Sequence, residues 1–457
     1  MFLMRQTIIV MSRRIEYDLR NEVYEHYQKL SVAFYKRHKT GDLMSRISED
    51  VNRVRMYLGP AVMYSINTTV LFVVVIYTMV QVNARLTFFV LLPLPILSVT
   101  IYYVNRLINK RSEKIQSQLS MLTSIAQETY SGIRILKSYV REELLNDKFD
   151  KESTVYKERA LDLAMVQAVF FPSMILLVGL SVIITIYVGG QEVIKGNLSA
   201  GNIAEFIIYV NMLTWPVTSL GWIASIIQRA SASQKRINEF LQEPIEIVSK
   251  NNTAVQLNGG LTFRDVSFVY PDTGIKALNH ISFKLKKGDR LLIIGKTGSG
   301  KSSLAQLILR LYESSNGEIL LDGKNIKNLS LSHVRQQIGY VPQDVFMFSD
   351  SIANNISFSK GDYTFDSIEE AAKSASVFKD IAGFPEGFET VVGERGITLS
   401  GGQKQRISLA RALIKKPEIV ILDDCLSAVD ASTEHEIIQS LKEYINNKTT
   451  LMITHRI

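Results

Sequence analysis

A chain of 457 residues is long enough for two or three domains. Its 46% apolar content and mean hydropathy of +0.10 are high for a purely soluble protein. The net charge of +8 would suit a nucleic-acid partner, but it has a closer explanation below. The single cysteine, Cys425, excludes an intrachain disulfide, fits a reducing cytoplasm and reads as an ordinary small residue.

Residues 1–55 mix charged with apolar positions and hold 11 lysines and arginines. The next 170 or so residues contain four stretches with no charged side chain: 56–84, 86–105, 163–191 and 206–228. Each is long enough to cross about 30 Å of hydrocarbon as a helix, and so many long runs in one half of a chain exclude buried soluble helices. Pro93 and Pro95 lie inside the second run and predict a kink there. Residues 106–161 carry another 11 basic side chains, whereas the short connections at Arg85 and at 192–205 carry one each. This asymmetry places the basic segments and everything after Arg229 in the cytoplasm. It also accounts for most of the net charge, so no nucleic-acid partner is expected. Apolar residues at helical spacing, such as Ile125, Tyr130, Ile133 and Ile135, predict that the spans continue into the cytoplasm as long helices.

A helix ends at Pro244, and residues 245–260, polar and closed by glycine, read as a linker. This gives a helical transmembrane domain over 1–244 and an α/β domain over 261–457. In the latter, short β-rich runs at 291–294, 338–341 and 419–422 alternate with helical ones, the pattern of a mostly parallel sheet wrapped by helices.

The run GKTGSGKSS starts directly after the first of those strands. Gly295, Gly298 and Gly300 allow backbone N–H groups to converge on phosphate oxygens, Thr297, Ser299 and Ser303 complete the loop, and a helix N-terminus adds positive potential. Lys301 is expected to reach the β and γ phosphates of a bound nucleotide and the Ser302 hydroxyl to bind Mg²⁺, which makes 261–457 a nucleotide-binding domain. The apolar strand 419–422 ends in Asp423 and Asp424, at the edge where ligands of such sheets bind; Asp423 would hold Mg²⁺ through water.

LSGGQKQR, at 399–406, completes an ordered set with the phosphate loop, VPQD at Gln343, VGERG at 392–396, LDD, SAVD ending at Asp430, and His455. On these motifs the chain resembles the ATP-binding cassette transporters. The resemblance implies that two cassettes sandwich two ATP molecules. Ser400, Gly401, Gly402 and Gln403 of one would then contact the γ-phosphate held by the other. The glycines open a helix whose free N–H groups need an anion, which agrees. It further implies that Tyr270 stacks on adenine, that Gln343 senses Mg²⁺ and the attacking water near the groove receiving the cytoplasmic loops, that Asp430 contacts nucleotide, and that His455 contacts the γ-phosphate. The other five histidines read as structural or solvated.

Asp424 stands where the family usually has glutamate. The side chain is one methylene shorter, which withdraws its carboxylate by about 1 Å from a water it must approach to within about 3 Å. Hydrolysis at this site is expected to be slow, and the intact signature would serve a second, competent subunit: a heterodimer is favoured over a homodimer. Residues 13–30 with 40–55, and residues 127–143, resemble the two cytoplasmic loops of exporter-type members, which have six spans. Against that pattern the chain reads as truncated at both ends. The expected function is a half-transporter subunit in the cell membrane, its cassette in the cytoplasm, exporting amphipathic drugs or lipids at the cost of ATP. The alternatives are a poorly hydrolysing, ATP-holding regulatory partner and a soluble cassette ATPase.

Overall fold

The computed structural model describes residues 2–249, 256–359, 363–393, 396, 399–425 and 431–455, apart from the side chains at 171 and 431–433. The chain forms two compact units. One comprises Met1–Tyr24 and Met44–Gln242; the other comprises Glu25–Leu43 and Glu243–Ile457.

The first unit is helical. Helix α1 (Val10–Lys29) begins in it; short helix α2 (Val32–Arg37) belongs to the second unit. Then come α3, the helical stretch Thr40–Leu91, α4 (Pro93–Ser131), α5 (Ile133–Tyr139), α6 (Glu142–Ile194) and α7 (Ala200–Leu241). Long helices form because the apolar runs lack breakers and because charged flanks at helical spacing carry them on, as the periodicity predicts.

Among the described residues three helices, α3, α6 and α7, are long and apolar enough to cross a membrane, against the four runs in the sequence. The first run is interrupted at Asn83 and the second is divided at Leu92. Asn83 leaves helical geometry (φ −162°, ψ 108°), its side chain accepts the Leu86 N–H at 2.8 Å, and α3 then ends at Leu91. Pro93 starts α4 in the first-turn position where its missing N–H costs nothing, so the expected kink is a break between two helices. The unit's core joins Val75, Met79, Leu86 and Val90 of α3 to Leu94, Leu97 and Ile101 of α4 and to Phe206, Val210, Leu213 and Val217 of α7.

One polar contact fastens this unit at its charged end. Asp50 is 1% exposed; its carboxylate accepts hydrogen bonds from buried Ser233 at 2.7 Å and from both Nε (3.1 Å) and a terminal nitrogen of Arg236. Asp50→Ala removes the buried carboxylate that Ser233 and Arg236 share, and we expect a loss of about 2 kcal/mol, with Asp50→Asn intermediate. Thermal unfolding in detergent measures it, and an unchanged midpoint for both variants would show the contact to be dispensable.

The second unit is an α/β domain with two sheets. In the antiparallel one, β1 (Leu261–Val269) lies between β2 (Lys276–Leu285) and β4 (Asn316–Leu321), and β5 (Lys324–Asn325) closes the edge. The other is parallel, in the order β3 (Arg290–Ile294), β8 (Thr449–Thr454), β7 (Ile419–Asp423), β6 (Ile338–Val341). β7 is buried at every residue because it sits inside the sheet with helices on its faces. The expected linker is partly built into the fold. Leu257 is 2% exposed and donates its N–H to Gln337 at 2.7 Å, while Asp322 accepts the N–H groups of Asn258 and Gly260.

Helix α8 (Lys301–Ile308) follows β3, and α9 (Leu331–Gln336) precedes β6. A second apolar cluster gathers α10 (Ile352–Ser357), α11 (Phe365–Ser374), α12 (Phe378–Ala382) and α13 (Gly401–Leu413) around Ile356, Ala372, Ile381 and Ile407. Helix α14 (Ala431–Tyr444) leads into β8.

Candidate active site

Parallel pairing decides where the functional groups meet. Ile294 pairs with Thr454 and Asp423 with Ile453, so β3, β8 and β7 end level with one another. The glycine loop, the Asp423–Asp424 pair and His455, widely separated in sequence, therefore leave the sheet side by side at its carboxyl edge.

The loop depends on glycine. Gly298 and Gly300 have φ of +83° and +86°, and a Cβ on Gly300 would lie 2.2 Å from the Ala277 carbonyl oxygen. Lys301 arches over it, donating to the carbonyls of Gly295 (2.6 Å) and Lys296 (2.9 Å). Ser302 donates its hydroxyl to Asp423 Oδ1 at 3.1 Å. Burial raises the Asp423 pKa above the usual carboxylate range; the Ser302 hydrogen bond opposes this and the charge of Asp424 adds to it. Asp424 itself is held on three sides. Its N–H bonds the Ile453 carbonyl at 2.8 Å, and its Oδ2 lies 2.9 Å from His455 Nδ1 and 3.4 Å from Gln343 Nε2. One pocket is walled by Tyr270, residues 297–303, Gln343, both aspartates and His455. Tyr270 is tied to the loop helix, its hydroxyl 2.9 Å from Ser303 Oγ and donating to Gln306 at 3.1 Å.

Of the predicted site residues, Tyr270, Thr297, Gly298, Ser299, Gly300, Lys301, Ser302, Ser303, Gln343, Asp423, Asp424 and His455 share this pocket, with Gly295 bordering it through Ser299. Ser400, Gly401, Gly402 and Gln403 do not line it. Asp430 and Glu394–Arg395 of VGERG lie outside the described residues. Ser400 caps α13, accepting the Gln403 N–H at 3.3 Å, while Gln403 Oε1 accepts the Ser400 N–H at 3.0 Å. Both glycines thus form the first turn of α13, so that they open the helix as the sequence suggests. Gln403 also donates to Asp380 at 3.1 Å, and Arg406 grips the same carboxylate at 2.7 Å, a clamp that sequence reading missed for want of any local signal at Asp380. Cys425 is buried, which pushes its thiol up to about 12 and leaves it protonated and inert.

Elsewhere on this unit a groove of about 810 Å³ runs past Arg335, Tyr340, Phe358, Tyr363, Arg411 and Lys415. Phe348 and Phe358 stack at 4.2 Å beside it, and Arg411 sits 5.7 Å from the Phe358 ring. Burial lowers the Arg411 pKa to about 10.

A parallel sheet presenting a glycine loop, an acidic strand end and a histidine to one pocket, fused to long apolar helices, defines a nucleotide-hydrolysing membrane protein. Residues 1–217 match the ABC transporter transmembrane region and residues 278–427 match the ABC transporter cassette, and the chain belongs to the ABC transporter family. It is 36% identical over 445 residues to a probable multidrug resistance ABC transporter ATP-binding/permease protein, YheI, of Bacillus subtilis, covering 97% of this chain and 76% of that protein. It is also 36% identical to the multidrug resistance-like ATP-binding protein MdlA of Escherichia coli (98% and 76% covered), and 35% identical to an ATP-dependent lipid A-core flippase of Syntrophus aciditrophicus (97% and 74%). The solved structure of a bacterial Atm1-family ABC exporter with ATP bound superposes with a TM-score of 0.79 at 26% identity, covering 99% of this chain and 79% of that one. The chain is therefore an exporter subunit that binds nucleotide and couples ATP hydrolysis to transport, embedded in the cell membrane with its cassette in the cytoplasm. Exporters of this family work as dimers.

Proposed function

We propose that this chain is one half of an exporter of amphipathic drugs or lipids, closing on a second subunit around ATP. The observation that carries this reading is the separation of two anion-seeking features: the glycine loop opens into its own pocket, whereas Ser400 and Gly401 are exposed at the start of α13, away from it. An exposed helix N-terminus whose side-chain cap leaves further N–H groups free suits a phosphate delivered by another cassette.

Within the pocket, Lys301 and the loop amides hold the β and γ phosphates, and Tyr270 offers a flat ring to the adenine. Ser302 Oγ and Asp423 Oδ1, with Gln343 across the pocket, form an oxygen-donor set that fits Mg²⁺, which binds through one or two protein oxygens plus phosphates. The bound ion would supply neutralising charge for the triphosphate. Asp424 accepts the proton of the attacking water, and His455 holds that carboxylate in place while facing the γ-phosphate. Gln343, within 3.4 Å of the Asp424 carboxylate, senses the ion and the attacking water. The tighter affinity of the closed pair for ATP drives the spans, and hydrolysis releases them. The drug and lipid cargo rests on the names of the relatives, and the short Asp424 favours a heterodimer in which the partner supplies the faster site.

Reconstitution tests both parts. In vesicles, ATP-dependent movement of a fluorescent amphiphile is expected, and its absence with an active ATPase would remove the proposed cargo class. Co-purified with a subunit carrying glutamate at the corresponding position, the pair should hydrolyse ATP about tenfold faster than this chain alone. Equal rates would favour a homodimer.

A further inference from the structure

Helix α2, from the first cytoplasmic segment, is folded into the cassette unit. Ala33 is 1% exposed within the apolar cluster that also holds Leu261 and Phe268. Glu246 fixes both ends of the helix, accepting from Ser31 Oγ at 2.5 Å and from Arg37 at 3.1 Å. This seating delivers Lys36 to the aromatic pair Tyr270–Tyr312, whose rings meet edge to face at 5.3 Å: its ammonium lies 4.8 Å from the Tyr270 centroid and 5.4 Å from that of Tyr312. Tyr270 walls the nucleotide pocket, whereas Lys36 is not among the residues lining it.

We propose that Lys36 is a positioning residue for purine recognition: it holds the orientation of the Tyr270 ring, so that ATP affinity depends on the seating of helix α2. This rests on the reading of Tyr270 as the adenine platform. A cation on one face of a phenol ring is attracted by its quadrupole and restricts the ring's orientation. The hydroxyl is pinned to Ser303 and Gln306 and the ring edge packs on Phe268 and Tyr312; the cation adds a charge-dependent constraint on the ring plane. By linkage, a base that binds the positioned ring also favours the seated helix, which gives the membrane-side segment a contact that reports an occupied base pocket.

The test uses the full chain, with its partner subunit where activity requires one, and measures KM and kcat for ATP and for CTP, whose single-ring base stacks less. Lys36→Met keeps the aliphatic stem and removes the charge. It should raise the KM for ATP about threefold with kcat nearly unchanged, and leave the KM for CTP where it was. Lys36→Arg should restore the ATP value. Tyr270→Ala should raise the KM for ATP about tenfold and abolish the effect of Lys36→Met in the double variant. Equal effects on ATP and CTP would mean that Lys36 only supports the helix, and would overturn the proposal. An unchanged KM in Lys36→Met beside a raised one in Tyr270→Ala would overturn it while sparing the platform; an unchanged KM in Tyr270→Ala would remove both.

Discussion

Asp424→Glu is expected to raise the rate of ATP hydrolysis at this chain's own site by about tenfold, and Asp424→Ala to lower it by about a hundredfold. Reach limits the natural side chain. The Asp424 backbone has little freedom to advance, since its N–H is bonded to Ile453 in the adjoining strand and it sits in left-handed geometry at φ 50°. Its carboxylate is drawn towards His455 at 2.9 Å, so an aspartate anchored in this way must serve the water from where it stands. One added methylene extends the carboxylate by about 1 Å, the difference between a direct hydrogen bond to the water and a poor one. Phosphate release at saturating ATP measures both variants, and nucleotide affinity should hardly move because the pocket's phosphate ligands are untouched. A glutamate variant no faster than the natural chain would show that side-chain length does not limit this site.

Gly300→Ala is expected to disable the nucleotide site altogether. Its Cβ would sit 2.2 Å from the Ala277 carbonyl oxygen, a backbone atom of β2 with nowhere to go, and φ of +86° adds strain. Together these should destabilise the cassette by roughly 4 kcal/mol and weaken ATP binding more than a hundredfold as the loop amides lose their aim. Gly298→Ala is the control. It has nearly the same φ, +83°, but nothing within 4 Å of the added methyl, so only the conformational cost of about 1 kcal/mol should appear. Thermal unfolding and equilibrium ATP binding on both variants decide the matter; equal losses would mean that strain, and not the clash with Ala277, governs the loop.

The cassette was largely legible because its chemistry is local. Loop glycines, Lys301 and Ser302 are contiguous, and the strands at 338–341 and 419–423 are short apolar runs that can only be buried. The membrane half was less so. An uncharged run marks what can lie in hydrocarbon but not where a helix turns, and both the turn at Asn83 and the break at Leu92 fell beside or inside such runs. Contacts across long separations left no trace: nothing near Asp380 announces Gln403 and Arg406, and nothing near Lys36 announces Tyr270.

By itself the sequence determined the family, the membrane-facing half and the identity of the phosphate-binding groups, since these rest on residue type and spacing along the chain. Only the tertiary structure decided which groups act together. Parallel register aligned Asp424 with His455, the signature was left outside the pocket they line, and helix α2 was packed into the cassette. The reason is physical: local propensity fixes short-range geometry, whereas the pairing of distant side chains is set by how sheets and helices bury their apolar faces against one another.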